Sequence, residues 1–165
     1  MSVKEAEQYD LRLQSLQRHI RHVQESCWVL AERILKRGNP GDLRFAHTLV
    51  THAQIHDHSK FSGIEWEYLW DNVKDKSPEL YDAAYLQHVT TNEHHPECWG
   101  DITKVPDIFL AEMVCDWHAR ATEFGTDLRT WIKEKATKRY DFPATGKVYK
   151  KIKEYVDLLL DKPFG

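Results

Sequence analysis

Seven apolar residues, Leu13, Leu16, Ile20, Val23, Cys27, Leu30 and Ile34, recur at alternating spacings of three and four. At about 100° per residue this draws one stripe along one long helix. No glycine or proline interrupts the chain before Gly38-Asn39-Pro40-Gly41, so the spacing predicts a single rod from Val3 to about Arg37. A rod with one apolar face has to be covered by others of its kind, and the rest of the chain supplies them.

Asp42 reads as the N-cap of a second helix running from Leu43 to about Lys60, with Ala46, Leu49, Val50 and Ala53 facing inward. The segment FSGIEWEYLW reads as a turn followed by a short aromatic helix. Pro78, after Ser77, opens a further helix at a tolerated first-turn position, with Tyr81, Ala84 and Tyr85 on its inner face. After the connecting loop DITKVP, a long helix is expected from Asp107 to Phe124, burying Leu110, Met113, Val114, Trp117 and Ala121 and ending at Gly125. Asp127 then caps LRTWIKEKATKRY, and KVYKKIKEYVDLLL closes the chain as an amphipathic helix with a solvated lysine face. No stretch alternates with period two for long enough to form a strand. The expected fold is all-α: one domain over residues 1–165, a bundle of about six or seven helices, with its core in about 10–125 and C-terminal helices over 126–162.

A formal charge of -3 excludes a chain that coats nucleic acid with a basic face. No apolar run approaches the roughly 18 residues of a membrane span, and the polar opening MSVKEAEQYD does not read as a leader. Three cysteines without close spacing, Cys27, Cys98 and Cys115, fit a reducing compartment, so the expected location is the cytoplasm, or the host cytoplasm for a viral chain. Cys98, near the histidines, reads as a buried or idle thiol rather than a metal thiolate.

What the packing pattern does not need is histidine, of which there are ten. His19 lies about 60° from the centre of the first stripe and can point along the core edge, whereas His22, at about 120°, should face water. His56, Asp57 and Lys60 continue the inner face of the second helix, and burying an imidazole, a carboxylate and an ammonium in succession is costly unless they pair or hold a metal. His52 sits at the edge of that face; His47 and His58 point out. His88 extends the inner face of the next helix. If that helix persists, His95 follows on the same side and His94 turns away, although Pro96 disfavours helix just before it. Asp116 lies beside the apolar face of the long fifth helix, with Arg120 one turn on as its ordinary partner. Glu65 is placed to reach a metal or its water.

In chain order this gives His19, then His56–Asp57, then Asp116, each block on a different helix. The arrangement resembles the HD-domain superfamily of metal-dependent phosphohydrolases. The segment HDHSK, with Lys60 three residues after Asp57, is similar to the His-Asp-x-Gly-Lys form of the HD-GYP phosphodiesterases, and NEHHPECW to their double-histidine segment. The blocks HIRHV, HDHSKF, NEHHPECW and EMVCDW together also resemble a small phage and bacterial family of unknown function. Departures from the two-metal enzymes are plain. Ser59 stands where glycine is usual, no Gly-Tyr-Pro follows His94–His95, and His88 precedes the double histidine by six residues rather than by a helix.

The resemblance implies an HD-type bundle in which His19, His56, Asp57 and Asp116 ligate one divalent ion (Mn, Fe, Co, Zn or Mg). His88, with His94 or His95, would hold a second, with Asp57 bridging. Asp57 and Lys60 become the catalytic pair, and Lys60 and Arg120 the substrate-binding cations. The implied substrate is a small phosphate ester, most naturally a nucleotide, cleaved by an activated water. Two other readings share the scaffold: an HD-type diiron oxygenase, and a non-catalytic, metal-stabilised binding protein of phage origin. A homodimer is compatible with all three.

Overall fold

In the computed structural model, which describes residues 3–161, every regular element is helical, with no strand among those residues. The rod expected from the opening stripe is α1, Val3–Arg37. Val23, Cys27, Leu30 and Ile34 on its stripe are fully buried, each aliphatic contributing roughly 1.5–3 kcal/mol through burial. Leu13 and Leu16, nearer its start, are only half-buried. There α1 lies against a separate cluster of Tyr9, Trp66 and Trp70.

The second helix, α2, spans Asp42–Ala53 and stops well short of Lys60. Residues 54–57 form turns, and a 3-10 turn follows at His58–Phe61. Asp42 does not cap its own helix, since left-handed Gly41 holds the N-cap position. The Asp42 carboxylate instead accepts from Arg37 Nη2 and from the Asn39 amide, both at 3.1 Å, and fastens the α1–α2 turn.

Two short helices, α3 (Gly63–Tyr68) and α4 (Asp71–Lys76), lead into α5 (Pro78–Thr91), with Pro78 at the expected first turn. Arg12 ties α1 to this region. Its guanidinium lies 4.4 Å from the Trp66 ring centre and 4.8 Å from that of Trp70, and donates to the carbonyls of Trp66, Glu65 (3.0 Å) and Leu69 (3.4 Å). They lie at the end of α3, where helix carbonyls run out of partners within the helix; the Glu65 carbonyl also accepts from the Leu69 amide at 3.0 Å.

DITKVP is not wholly irregular, because Ile102–Lys104 forms a 3-10 turn that buries Ile102. Helix α6, Asp107–Phe124, ends at left-handed Gly125 as the sequence implies. It is buried on several faces, from Phe109 to Ala121, and is the central post of the bundle. Asp127 caps α7 (Leu128–Trp131) by accepting from the Thr130 amide at 2.7 Å. One π-helical turn, Ile132–Ala136, joins α7 to α8, Thr137–Arg139.

The last helix, α9 (Lys147–Leu160), buries Tyr149, Ile152, Tyr155, Val156 and Leu159 in the cluster that holds α1, α2 and α6. The core therefore runs on to residue 159 and does not stop near 125, because α9 packs against both α1 and α6. Arg33 donates to the carbonyls of Leu158 and Leu159 at 2.5 and 2.6 Å, closing the end of α9. No helix among the described residues is long and apolar enough to cross a membrane.

Candidate metal centre

Most of the buried polar residues gather at one place, where α1, α5, α6 and the turns after α2 and α5 converge. His19, His56, Asp57, His88 and His94 are each no more than 3% exposed there. From α1, His19 Nε2 stands 3.0 Å from Asp116 Oδ1 and 3.7 Å from Asp57 Oδ2. His56 Nε2 stands 3.7 Å from the same Asp57 Oδ2 and 4.0 Å from Asp116 Oδ1. On the other side of Asp57, Oδ1 lies 3.4 Å from His88 Nε2 and 3.7 Å from His94 Nε2. His95 Nε2 completes that side, 3.0 Å from His88 Nε2.

Two ligand groups therefore lie back to back. His19, His56 and Asp116 form one; Asp57, His88, His94 and His95 form the other; within each, the ligand atoms lie within 4.8 Å of one another. One oxygen of Asp57 faces each group. The backbone explains this placement: α2 has ended, and Asp57 adopts a left-handed conformation, φ 57°. That is uncommon for a residue other than glycine but is tolerated by Asp.

The fit to metal rests on unsatisfied atoms. His56 Nε2, His94 Nε2 and Asp57 Oδ1 are buried and make no hydrogen bond, and buried His19 Nε2 and Asp116 Oδ1 have only each other, 3.0 Å apart, within hydrogen-bond distance. Buried polar atoms are normally paired, and these five all point into the two groups.

Behind them, three of the rings are held from the far side. His19 Nδ1 donates to Glu123 Oε1 at 3.0 Å, His56 Nδ1 to Glu112 Oε1 at 2.9 Å, and His88 Nδ1 to Glu65 Oε2 at 2.8 Å. A carboxylate acceptor fixes the proton on Nδ1 and leaves the Nε2 lone pair facing inward, the arrangement that orients ligating histidines. Glu112 Oε1 also lies 3.6 Å from His94 Nδ1, so a single carboxylate stands behind one histidine of each group. The cluster of His56, His94 and Glu112 is this supporting contact seen from behind, since the Nε2 atoms of both rings aim elsewhere.

Protonation favours ligation. Burial first, with the neighbouring Lys60 and His56 helping, pushes His88, His94 and His95 down to about 3, so all three are neutral near pH 7. Burial opposes the charge on Asp57, but Lys60 and the surrounding imidazoles outweigh it and hold the carboxyl well below the usual range; His19 does the same for Asp116. For His56, burial is outweighed by Asp57, Glu112 and Asp116, and its pKa is raised.

The residues expected from the sequence meet at one point, with four adjustments. His94 turns in, not away, because α5 ends at Thr91 and the extended Asn92 redirects the chain. Glu65 backs His88 and does not face the ligand groups directly; it also accepts from Ser59 Oγ at 2.8 Å. Arg120 pairs with Glu123 Oε2 at 3.1 Å, which leaves Asp116 to His19. His22 is only half-exposed, with Nδ1 3.4 Å from Glu123 Oε1. Glu112 and Glu123 went unread. Their signal was spacing, since positions four before and seven after Asp116 share its face of α6.

A cavity of about 830 Å³ opens over the centre. His19, Lys60, His88, His95 and Asp116 are among its lining residues, with Arg120, Trp117, Trp131, Arg139 and Tyr140. Lys60 Nζ donates to Asp57 Oδ2 at 2.6 Å, with its side chain 17% exposed. It supplies a positive charge where the two groups meet.

No curated protein and no solved structure matches this chain. Residues 8–161 match a family described as "Family of unknown function (DUF5662)", and the chain belongs to that family.

Proposed function

We propose that this protein is a metal-dependent phosphohydrolase that binds two divalent ions bridged by Asp57 and cleaves a small phosphate ester, most naturally a nucleotide. The observation that carries the reading is the convergence of five buried ligand atoms, with no partner outside the cluster, on the two sides of one carboxylate. His19, His56 and Asp116, with Asp57 Oδ2, would hold one ion. His88, His94 and His95, with Asp57 Oδ1, would hold the other. What divalent ions supply when bound there is Lewis acidity: acidified water and neutralised phosphoryl charge.

The chain's own groups do the rest. Glu65, Glu112 and Glu123 keep the imidazoles in the tautomer that presents a lone pair. Lys60 already counters the Asp57 charge and can turn its ammonium to a phosphoryl oxygen, an electrostatic contact of the kind that contributes roughly a hundredfold to a thousandfold. Arg120, exposed on the cavity wall, adds a second cation within the same space. The aromatic walls exclude water and strengthen these interactions.

The test is elemental analysis of the purified protein, with phosphate release measured on a nucleotide panel in Mn, Co, Zn and Mg, alongside Asp57→Ala. The expected result is about two ions per chain and turnover that Asp57→Ala abolishes. Metal-loaded protein that releases no phosphate with any of these ions would overturn the reading. Bound iron with an oxygen-dependent absorption change would instead point to an HD-type diiron oxygenase, and metal without turnover or colour to a metal-stabilised binding protein.

A further inference from the structure

The cavity is larger than the chemistry at its floor requires. About 830 Å³ lies in the upper part of the range for sites that enclose a whole organic ligand. Part of its remaining wall is built by α6 and the C-terminal segment, beside residues of α1, α4 and α5. Trp117 and Tyr140 stack at 5.7 Å between ring centres and 16° between planes, and Trp131 meets Trp117 edge-on at 5.0 Å. The π-helical turn at Ile132–Ala136 lies between Trp131 and the Arg139–Tyr140 pair. An extra residue in one turn changes which side chains face the bundle, and here residues on both sides of it line the same cavity.

Arg139 is the unusual member. Its Nη2 donates to Tyr85 Oη at 2.8 Å across to α5, and its guanidinium lies 5.2 Å from the Tyr140 ring centre. Among the described residues no carboxylate comes within ion-pair distance of it, whereas Lys60 and Arg120 each have one. Five fixed donors and a full charge, with a phenol and a ring as partners, leave a fork suited to a carboxylate or phosphate.

We infer that the cavity holds a second anion subsite, in which Arg139 with Tyr85 binds another anionic group of the substrate, while the aromatic wall of Trp117, Trp131 and Tyr140 receives a ring carried by the same substrate. The substrate class is then a phosphate ester whose alcohol part carries both a ring and another phosphate or carboxylate. This rests on the proposed function only for the identity of the anion at the floor, and it is tested by binding, not by turnover.

Stopped-flow tryptophan fluorescence on metal-loaded protein reads binding before any hydrolysis, with Trp70, Trp117 and Trp131 around the cavity as reporters. The probes are inorganic phosphate, adenosine 5′-monophosphate and adenosine 3′,5′-bisphosphate. The bisphosphate should bind about tenfold or more tighter than the monophosphate, the effect of one charge-assisted hydrogen bond. Arg139→Gln should erase that gap while leaving inorganic phosphate affinity and metal content unchanged, and Arg139→Lys should restore part of it. Equal affinity for the two nucleotides in the wild type, or a gap that survives Arg139→Gln, overturns the inference. A protein that binds the bisphosphate in this Arg139-dependent way yet hydrolyses nothing would keep the subsite and lose the phosphohydrolase reading.

Discussion

Glu112 touches no substrate, yet the geometry makes it the most informative position to change. It accepts from His56 Nδ1 at 2.9 Å and lies 3.6 Å from His94 Nδ1, so it stands behind one histidine of each ligand group. Glu123 stands only behind His19, and Glu65 only behind His88. Losing the carboxylate behind a ligating histidine typically costs about tenfold to a hundredfold in metal affinity, or about 1.4–2.7 kcal/mol. Glu123→Gln should therefore weaken one ion by that factor, and Glu65→Gln the other. Glu112→Gln should weaken both, the first by the full factor and the second by less, because 3.6 Å exceeds hydrogen-bond length. Glutamine keeps the shape and an acceptor oxygen, so metal-free protein should melt within a few degrees of wild type. The assay is equilibrium dialysis against graded free metal, with bound ions counted per chain. Two ions of wild-type affinity in Glu112→Gln would refute the paired-site geometry, and so would a loss confined to one ion and equal to that of Glu65→Gln.

Asp57→Asn keeps a residue that tolerates the left-handed backbone but removes the shared charge, and should abolish binding of both ions while the helical circular-dichroism signal remains. Metal-free protein should lose stability as pH falls from about 6.5 toward 3. In that window the unfolded imidazoles take protons that folded His88, His94 and His95, titrating at about 3, refuse; each adds a slope of up to about 1.4 kcal/mol per pH unit. His56, with its raised pKa, opposes them, since its contribution is present below about 6.5 and lost as pH rises. Denaturant unfolding at several pH values checks the balance, and a curve that is flat or rises toward acid would refute it. Leu30→Ala, at a fully buried position, should lower stability by about 2–5 kcal/mol in the same assay. Arg12→Met should raise amide exchange in residues 63–76 and leave α6 unchanged, because the bonds it removes lie at the end of α3.

The helices were legible because their information is local. The stripe from Leu13 to Ile34 and the stop at Gly38 bound α1, and Asp107 and Gly125 bound α6 at the same residues in sequence and structure. His19 could be found because its angle to the stripe is a property of one helix. Where α2 ends was not legible. His56, Asp57 and Lys60 continue its apolar face arithmetically, but the chain leaves the helix at Ala53, and a turn brings two of them into the same burial by another route. His94 was misdirected for the same reason, a helix carried past its end. Glu112 and Glu123 show a different limit. A carboxylate on a helix is ordinarily solvated, and only the position of two other helices makes these the supports of His56 and His19. That α9 closes the core was likewise hidden, because which flank of α1 stays open is decided between helices.

The left-handed backbone at Asp57 restricts that position twice over. The proposed bridging role asks for a short carboxylate with two oxygens facing opposite ways; the torsion angle asks for glycine, asparagine or aspartate. Only aspartate meets both. Glutamate would keep the charge at the expense of a disfavoured backbone and a longer reach, and glycine would relax the turn while emptying the bridge. A design that tries to move this bridge onto a regular helix would have to rebuild the turn as well as the ligand.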